Sequence, residues 1–322
     1  MPGANLCHLP AYSEMVRRAT GHPVLYLVAR EQGAVRGVLP LTHIRSPLFG
    51  NLMISHAFRN YGGPLAADAE ATEALFRRAV EIATERGCSA IELRRAEPLP
   101  FDLHTRTGKV CMVLPLDPDP KVMWKGLDFK MRNHVRKAEK AGLVATHGGL
   151  ELLDGFYGVY THRMRELGSP PYAKKVFRTM LETFPENSRL FAVRLDRLVL
   201  AAGITTEFKG VVEIPYAGSL SEYNKLCPNN LLYWTIIKHY SSAGAKSFDF
   251  GRCAVGSGTY QFKKQWGTQP LALNYQFWVR AGHELSVNST DNPRYRSRIE
   301  MWKKLPLWLT RAVGPWISRD VP

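Results

Sequence analysis

The chain has 322 residues, of which 45% are hydrophobic and 22% are charged, an ordinary composition for a soluble globular protein. The length predicts two domains or one large one. No run of about 18 apolar residues occurs, so a membrane-spanning helix is not expected. The first residues lack a charged segment followed by an apolar one, so no signal peptide is expected. Five cysteines stand singly without metal-ligand spacing, which predicts free thiols in a reducing cytoplasm and no metal site.

The formal net charge of +15 predicts an anionic partner. RNA, a phosphorylated substrate and an anionic lipid all fit this charge, which does not choose among them. A role in solubility alone is the remaining alternative.

The first half of the chain predicts a short helix, a β-hairpin, a long helix and a strand. A loop, FRNYGGPLA (58–66), separates the hairpin from the long helix and contains the firm break Gly62-Gly63-Pro64. The predicted ranges are 5–20 for the first helix, 24–28 and 35–43 for the hairpin, 69–86 for the long helix and 89–93 for the strand.

The second half repeats this order. Leu75, Gly87, Ile91 and Leu93 are matched 157 residues later by apolar residues and a glycine, which indicates a duplicated α/β unit. Chance similarity between α/β segments is the alternative. The predicted ranges are 190–193, 199–207 and 211–217 for strands, 230–242 for a helix capped by Pro228-Asn229-Asn230, and 247–250 for a strand.

Between the halves lies a predicted basic helix, 121–142, after the linker 116–120. Arg132 and Arg136 share one face at a spacing of four residues, and Lys137 adds to the charge. Asp128 and Glu139 cannot neutralise the five cations between 128 and 140, so this helix is a candidate anion-binding surface. A solvated helix face is the alternative.

The stretch FDFGRCAVGSGTYQFKKQWG (248–267) predicts a substrate site. A buried strand carries Asp249 and Arg252 into a glycine turn, and Tyr260 and Lys263 follow. These residue types suit the binding of an anionic, carbonyl-bearing donor and the stabilisation of an oxyanion. No nucleophile–base pair, Walker loop, dinucleotide fingerprint or zinc motif is visible, so covalent catalysis is not expected. A β-turn followed by a solvated lysine pair is the alternative.

Several motifs in register resemble the FemAB family. They are KMRNHVRKAEKAG (130–142), PNNLLYW (228–234) and DFGRCAVGSGTYQFKKQWG (249–267). FRNYGGPLA, LGSPPYAKKVF (167–177) and the tail from Asn292 resemble more narrowly the PEP-CTERM/exosortase system-associated branch. The resemblance covers nearly the whole chain.

This resemblance implies an α/β (α+β) fold of tandem GNAT-like domains, each a mixed, mostly antiparallel sheet flanked by helices. The expected domains are 1–115, 116–285 and a tail, 286–322, that packs on the core or lies on a membrane surface. The implied activity is transfer of an aminoacyl or acyl group to an amine of a cell-envelope or exopolysaccharide-associated precursor. Aminoacyl-tRNA or acyl-CoA would be the co-substrate, with no other cofactor and no DNA partner. The expected location is cytoplasmic, with peripheral contact at the inner membrane.

The resemblance also assigns roles to residues. The family's Phe-Lys pair falls on Phe262 and Lys263. The charge of Lys263 would assist transfer or, alternatively, bind the donor's phosphate, and Asp249 or Tyr260 would accept the amine proton. The expected substrate-binding residues are Phe262, Arg252, Tyr61, Gly62, Tyr172, Tyr216, Asn229, Asn230, Arg132, Arg136 and Lys137.

The chain also departs from the family pattern. A lead-in strand is expected to be missing, a tRNA-gripping helical hairpin is not visible, and NKLCPNN (224–230) replaces the glycine-rich acetyl-CoA loop. An acyl-CoA-dependent N-acetyltransferase and a non-catalytic RNA- or polyanion-binding protein therefore stay open as alternatives.

Overall fold

A computed structural model describes residues 1, 3–284 and 296–321, which form two compact units. The first unit comprises residues 1–109, 272–284 and 316–321, and the second comprises 110–271 and 296–315. The α-helices are α1 (Pro10–Thr20), α2 (Ala69–Glu85), α3 (Pro120–Gly126), α4 (Phe129–Lys140), α5 (Leu153–Glu166), α6 (Lys174–Thr183), α7 (Pro228–Ser242), α8 (Gly258–Lys264), α9 (Arg296–Lys304) and α10 (Leu307–Ser318). The strands are β1 (Val24–Glu31), β2 (Ala34–Ser46), β3 (Gly50–Ser55), β4 (Leu65–Ala66), β5 (Ala90–Arg95), β6 (His104–Pro115), β7 (Val144–Gly148), β8 (Ser188–Leu195), β9 (Leu198–Phe208), β10 (Val211–Ser219), β11 (Ser247–Ala254) and β12 (Gln269–Val279).

The sheet of the first unit has the strand order β1-β2-β3-β5-β12. Neighbouring strands are antiparallel except β3 and β5, which run parallel over three residue pairs from Leu52–Ala90 to Ile54–Glu92. Helix α2 packs its buried residues, among them Leu75 and Ala79, into this unit's apolar core. The Asp68 carboxylate accepts a hydrogen bond from Ala71 N at 2.8 Å and so begins the helix.

The second unit repeats this plan with the order β6-β11-β10-β9-β8-β7. Again one pair is parallel over three residues, here β10 and β11, while β7–β8, β8–β9 and β9–β10 are antiparallel. Helix α7 buries Leu232, Ile236 and Ile237 in the core. The predicted fold class is therefore confirmed: the sheets are mixed and mostly antiparallel, and helices flank them.

The predicted single basic helix, 121–142, is wrong, because the segment forms two helices, α3 and α4. Asp128 stands at the break and accepts hydrogen bonds from Lys130 N and Met131 N, which starts a new helix. Arg132 Nη1 donates to Lys125 O and Leu127 O and so satisfies carbonyls at the end of α3.

Other expectations also need correction. The first predicted helix, 5–20, is a 3-10 turn at Leu6–His8 followed by α1, which starts at Pro10 because proline has no N–H to give to a preceding turn. Helices α5 and α6 were not predicted. Pro306 separates α9 from α10, but Pro315 lies inside α10.

The first part of the predicted tail, residues 286–295, lies outside the described residues. Farther along, Arg311 Nε donates to Thr161 Oγ1 at 2.9 Å and links α10 to α5 within the second unit. In the described part of the chain, no helix has both the length and the apolar content needed to cross a membrane.

Candidate active site

The centre of the candidate site lies where strands β10 and β11 leave their shared ladder. The pairing of β10 with β11 ends at Glu213 opposite Asp249, whereas β10 continues to Ser219 and β11 to Ala254. On its other side, β10 shifts register against β9 between Glu213 and Tyr216. Irregular pairing of this kind redirects side chains and commonly adjoins functional sites.

Two buried carboxylates lie side by side at this point. Glu213 is 7% exposed and Asp249 is 1% exposed, and as paired residues of parallel strands they face the same side of the sheet. Asp249 Oδ1 accepts a hydrogen bond from Gly251 N at 2.7 Å. Burial, together with the charges of Asp249 and Glu213, raises the pKa of the neighbouring Cys111 thiol far above its usual range. Cys111 is therefore a neutral thiol at neutral pH.

Lys263 brings a buried cation to the same strand end. It lies in the last turn of α8, which starts where Ser257 Oγ accepts from Tyr260 N at 3.2 Å. Lys263 is 5% exposed, and its Nζ donates to Gly251 O at 2.7 Å and to Arg252 O at 3.2 Å. An ammonium has three N–H donors, so these two bonds leave one for a substrate atom. Burial lowers the pKa of Lys263 below its usual 10.5, although the nearby Cys253 and Asp249 oppose the shift.

The left-handed backbone of Gly251 supports this arrangement. Its φ of +78° is readily adopted only by glycine, and it lies within β11, two residues after Asp249. In this conformation the N–H of Gly251 donates to the Asp249 carboxylate, and the carbonyl oxygen of Gly251 accepts from Lys263 Nζ. One glycine therefore links the candidate base and the candidate cation.

The structure places the other predicted residues of this stretch around the same turn. Phe262 packs its ring 5.5 Å from that of Tyr233 and 6.3 Å from that of Trp266, in the apolar core beneath α8. Tyr260 lies half-buried one helical turn before Lys263. Arg252 is exposed. The segment predicted only as a turn with trailing cations is thus a capped helix, which the Ser257 cap could have revealed.

Two predicted tyrosines of the second unit come together. The rings of Tyr172 and Tyr216 lie 5.7 Å apart and edge to face, and Tyr216 also contacts Phe177 at 5.1 Å. Since Tyr216 lies on β10 just beyond the register shift, this aromatic cluster adjoins the strand that carries Glu213.

The predicted cap of α7 by Asn229 and Asn230 is wrong. The helix begins at Pro228 after Cys227, which has φ +57° and makes no side-chain cap bond. The Asn230 side chain instead donates to Met131 Sδ at 3.8 Å, so it joins α7 to α4. Asn229 occupies the second position of α7 and is partly exposed.

The three predicted anion-binding cations of α4 have different surroundings. Arg132 bonds backbone carbonyls, as described above, and Arg136 stacks 5.5 Å above the Trp124 ring. Lys137 is exposed. Arg136 also lines a groove of about 650 Å³ between α3, α4 and α7, together with Lys121, Lys125 and Lys238.

Tyr61 and Gly62 belong to the first unit. Gly62 N donates to Arg94 O at 2.9 Å, and a Cβ at this position would lie 2.0 Å from the His56 ring. Ligand atoms of Cys7, His8 and His56 lie within 4.8 Å of one another nearby. Both imidazoles already direct Nε2 at Gly63 O, at 3.1 Å each, so this group holds the loop in place.

Sequence reasoning missed Glu213 and Cys111. An acidic residue within the otherwise apolar strand VVEIPYAGS was a detectable signal for Glu213. Cys111 gave no such signal, because cysteine is commonly buried as a small apolar residue.

Residues 129–264 match the family model described as "Acetyltransferase (GNAT) domain". Among solved structures, the chain is similar to FemX, with a TM-score of 0.68 and 18% identity over 85% of this chain and 92% of that one. It is also similar to the C-terminal domain (DUF2156) of a putative lysylphosphatidylglycerol synthetase from Agrobacterium fabrum, with a TM-score of 0.58 and 13% identity over 84% and 88%. The chain is similar as well to L-PGS from Bacillus licheniformis, with a TM-score of 0.55 and 11% identity over 95% of this chain and 97% of that one.

A search of curated proteins found no match. The domain match and the solved structures show that the fold is of the GNAT acyltransferase type.

Proposed function

We propose that the protein is an N-acyltransferase of FemAB type that transfers an aminoacyl group to an amine of a cell-envelope precursor. The observation that carries the proposal is the buried Lys263, whose Nζ is anchored by Gly251 O and Arg252 O at the strand that carries the buried Asp249. Acyl transfer to an amine requires a site for a developing oxyanion and an acceptor for a proton. This strand end offers both.

In the proposed reaction, the acceptor amine forms a bond to the acyl carbonyl carbon of the donor. The third N–H of Lys263 donates to the carbonyl oxygen as it becomes an oxyanion. Asp249, beside Glu213, accepts the amine proton. Collapse of the tetrahedral intermediate breaks the bond between the acyl carbon and the donor's ester oxygen or thioester sulfur, and that atom leaves with the proton that Asp249 took from the amine. No covalent enzyme intermediate is needed.

The start of α7 favours an aminoacyl donor over acyl-CoA. In GNAT-type folds a helix N-terminus can hold a pyrophosphate only if its N–H groups are free. Here Pro228 has no N–H and Asn230 N donates to Cys227 O at 3.1 Å, so fewer first-turn N–H groups are available than at an ordinary helix start. The similarity to a putative lysylphosphatidylglycerol synthetase, whose name denotes an aminoacyl product, is in keeping with this choice. The matched domain description, an acetyltransferase, keeps acetyl-CoA as the second candidate donor.

The association with a PEP-CTERM/exosortase system is the narrower part of this proposal. It is supported by the motifs FRNYGGPLA and LGSPPYAKKVF and by the tail.

The decisive experiment measures transfer of a labelled acyl group from aminoacyl-tRNA and from acetyl-CoA to a peptidoglycan precursor with a free amine. Lys263→Ala is compared with Lys264→Ala, which removes an exposed lysine from the same helical turn. We expect Lys263→Ala to lower the rate by about 10²–10³-fold, because an oxyanion donor is lost, and Lys264→Ala to leave it unchanged. Equal rates in the two variants would contradict the role of Lys263. Salt-dependent RNA binding without any transfer would favour the non-catalytic alternative.

A further inference from the structure

A second basic pocket lies in the first unit, at the amino ends of β3 and β5. It has a volume of about 340 Å³ and is lined by His22, Pro23, His43, Arg45 and Arg86. The loop of Tyr61 and Gly62 reaches Arg94 O, at the carboxyl end of β5, so it lies at the other end of these parallel strands. The pocket is therefore separate from the loop that the FemAB resemblance assigns to substrate.

Asn51 holds the walls of this pocket in place. Its Oδ1 lies 2.7 Å from His43 Nε2, and its Nδ2 donates to Arg86 O at 3.0 Å and to Gly87 O at 2.9 Å. Arg86 Nη1 lies 3.5 Å from His43 Nδ1 and can only donate, so His43 donates from Nε2 to Asn51. Burial lowers the pKa of His43, which keeps this imidazole neutral.

Arg45 and His43 project on the same face of β2, since they are two residues apart, and Arg45 is paired with Asn51 in the β2–β3 register. The first wall of the pocket is therefore a strand face and the second is the end of α2. Both are regular, hydrogen-bonded elements.

The pocket concentrates positive charge, and its arginines have no acidic partner among the described residues. Arg45 and Arg86 both line the pocket, and the charges of Arg86, Arg45 and Arg280 oppose the rise that burial causes in the pKa of the adjacent Cys88 thiol. Within residues 1, 3–284 and 296–321, no carboxylate lies within 4.0 Å of the nitrogens of these three arginines. Asp320 touches the pocket residue His22 at 3.3 Å, but it also lies 3.3 Å from Arg319 Nε.

We propose that this pocket binds a phosphate group and is an anion site distinct from the acyl-transfer site. Arg45 and Arg86 place two positive charges on the walls of one pocket, and a bound phosphate would offset their repulsion while accepting paired N–H bonds. The pocket is large enough for a phosphate or pyrophosphate. The phosphate belongs either to a small soluble molecule or to a lipid headgroup. Leu48, 62% exposed in the turn that follows Arg45, would meet the bilayer in the second case.

The test uses the whole protein and two probes. Inorganic pyrophosphate is titrated by calorimetry, and vesicles of phosphatidylglycerol or phosphatidylcholine are used in co-sedimentation. Arg45→Gln and Arg86→Gln are compared with Arg77→Gln, which removes the same charge from an exposed position in the middle of α2. We expect each pocket variant to weaken binding by about tenfold or more, as for the loss of a hydrogen bond to a charged group. Arg77→Gln should bind as the wild type does.

The two probes distinguish the sources of the phosphate. Arginine-dependent pyrophosphate binding without vesicle binding supports a soluble ligand. Arginine-dependent binding to phosphatidylglycerol vesicles that Leu48→Ser also weakens supports a headgroup. The proposal is overturned if the wild type binds neither probe, or if both pocket variants bind as Arg77→Gln does.

Arg45 and Arg86 are both exposed, so both variants should fold, and thermal unfolding checks this. Lys263→Ala should bind both probes normally, which separates this result from that of the transfer assay.

Discussion

The ends of β5 and β11 occupy equivalent places in the two units but differ in chemistry. Glu92 and Arg94 of β5 correspond, 157 residues later, to Asp249 and Gly251 of β11. In the first unit, Arg94 Nε lies 2.7 Å from Glu92 Oε1, with side chains 4% and 14% exposed. In the second unit, the Asp249 carboxylate accepts a hydrogen bond from Gly251 N. The cation at this strand end is Lys263 of α8, and its Nζ donates to Gly251 O.

This difference is the physical basis for placing the proposed reaction in the second unit rather than the first. A carboxylate beside a guanidinium is neutralised and serves the structure. Lys263 instead contacts neutral carbonyls, so its charge can act on a substrate. The residue paired with the carboxylate on the adjacent parallel strand also differs. It is Ile54 opposite Glu92 in the first unit and Glu213 opposite Asp249 in the second.

The largest expected effect concerns the two corresponding carboxylates. Asp249→Asn keeps an oxygen that can accept from Gly251 N but removes the proton acceptor, so we expect transfer to fall by about 10²–10⁴-fold. Glu92→Gln should leave the rate per folded molecule unchanged. Steady-state kinetics on both variants measures this, and equal losses would show that the two strand ends do not differ in function.

Removing the first unit's cation should mainly affect stability. Arg94→Met leaves the Glu92 carboxylate without its ion-pair partner, so we expect the free energy of unfolding to fall by about 3 kcal/mol. Urea denaturation measures the loss. If the stability is unchanged while transfer is abolished, the first unit contributes to the chemistry and the comparison fails.

Gly251 should matter for both stability and rate. An alanine at φ +78° costs about 1–2 kcal/mol and shifts the carbonyl that holds Lys263, so both stability and transfer should decrease. Gly256→Ala is the matched control, because Gly256 has φ +79° and open space at its Cβ position. It should lose similar stability but retain transfer. Identical kinetics in the two variants would argue against the link through Gly251.

The smallest effect is the pH dependence. Burial lowers the pKa of Lys263, so its proton is lost at a lower pH than that of an ordinary lysine. Since the protonated form stabilises the oxyanion, transfer should decline on the alkaline side beginning below pH 10.5. A pH–rate profile under saturating donor tests this. A rate that stays constant through that range would exclude the Lys263 ammonium as the required group.

Much of the fold was predictable because its periodicity is local. The helix at 69–86, the hairpin and the repeated order depend on apolar spacing and on glycine or asparagine turns, which neighbouring residues determine. The break between α3 and α4 was not predicted, because the spacing of charged residues stays helical across it. The Asp128 side chain nevertheless caps a new helix there instead of letting α3 extend. Helices α5 and α6 were missed altogether.

The sequence alone offered Asp249 and Lys263 as candidates through their residue types, and the family resemblance added Phe262. It could not show that Glu213 lies beside Asp249 or that Arg94 is neutralised by Glu92, because strand register decides which side chains are neighbours. It also could not show that β12, from the end of the chain, pairs with β5 and completes the first unit's sheet. Such pairings join residues far apart in the chain, and only the packing of the folded protein determines them.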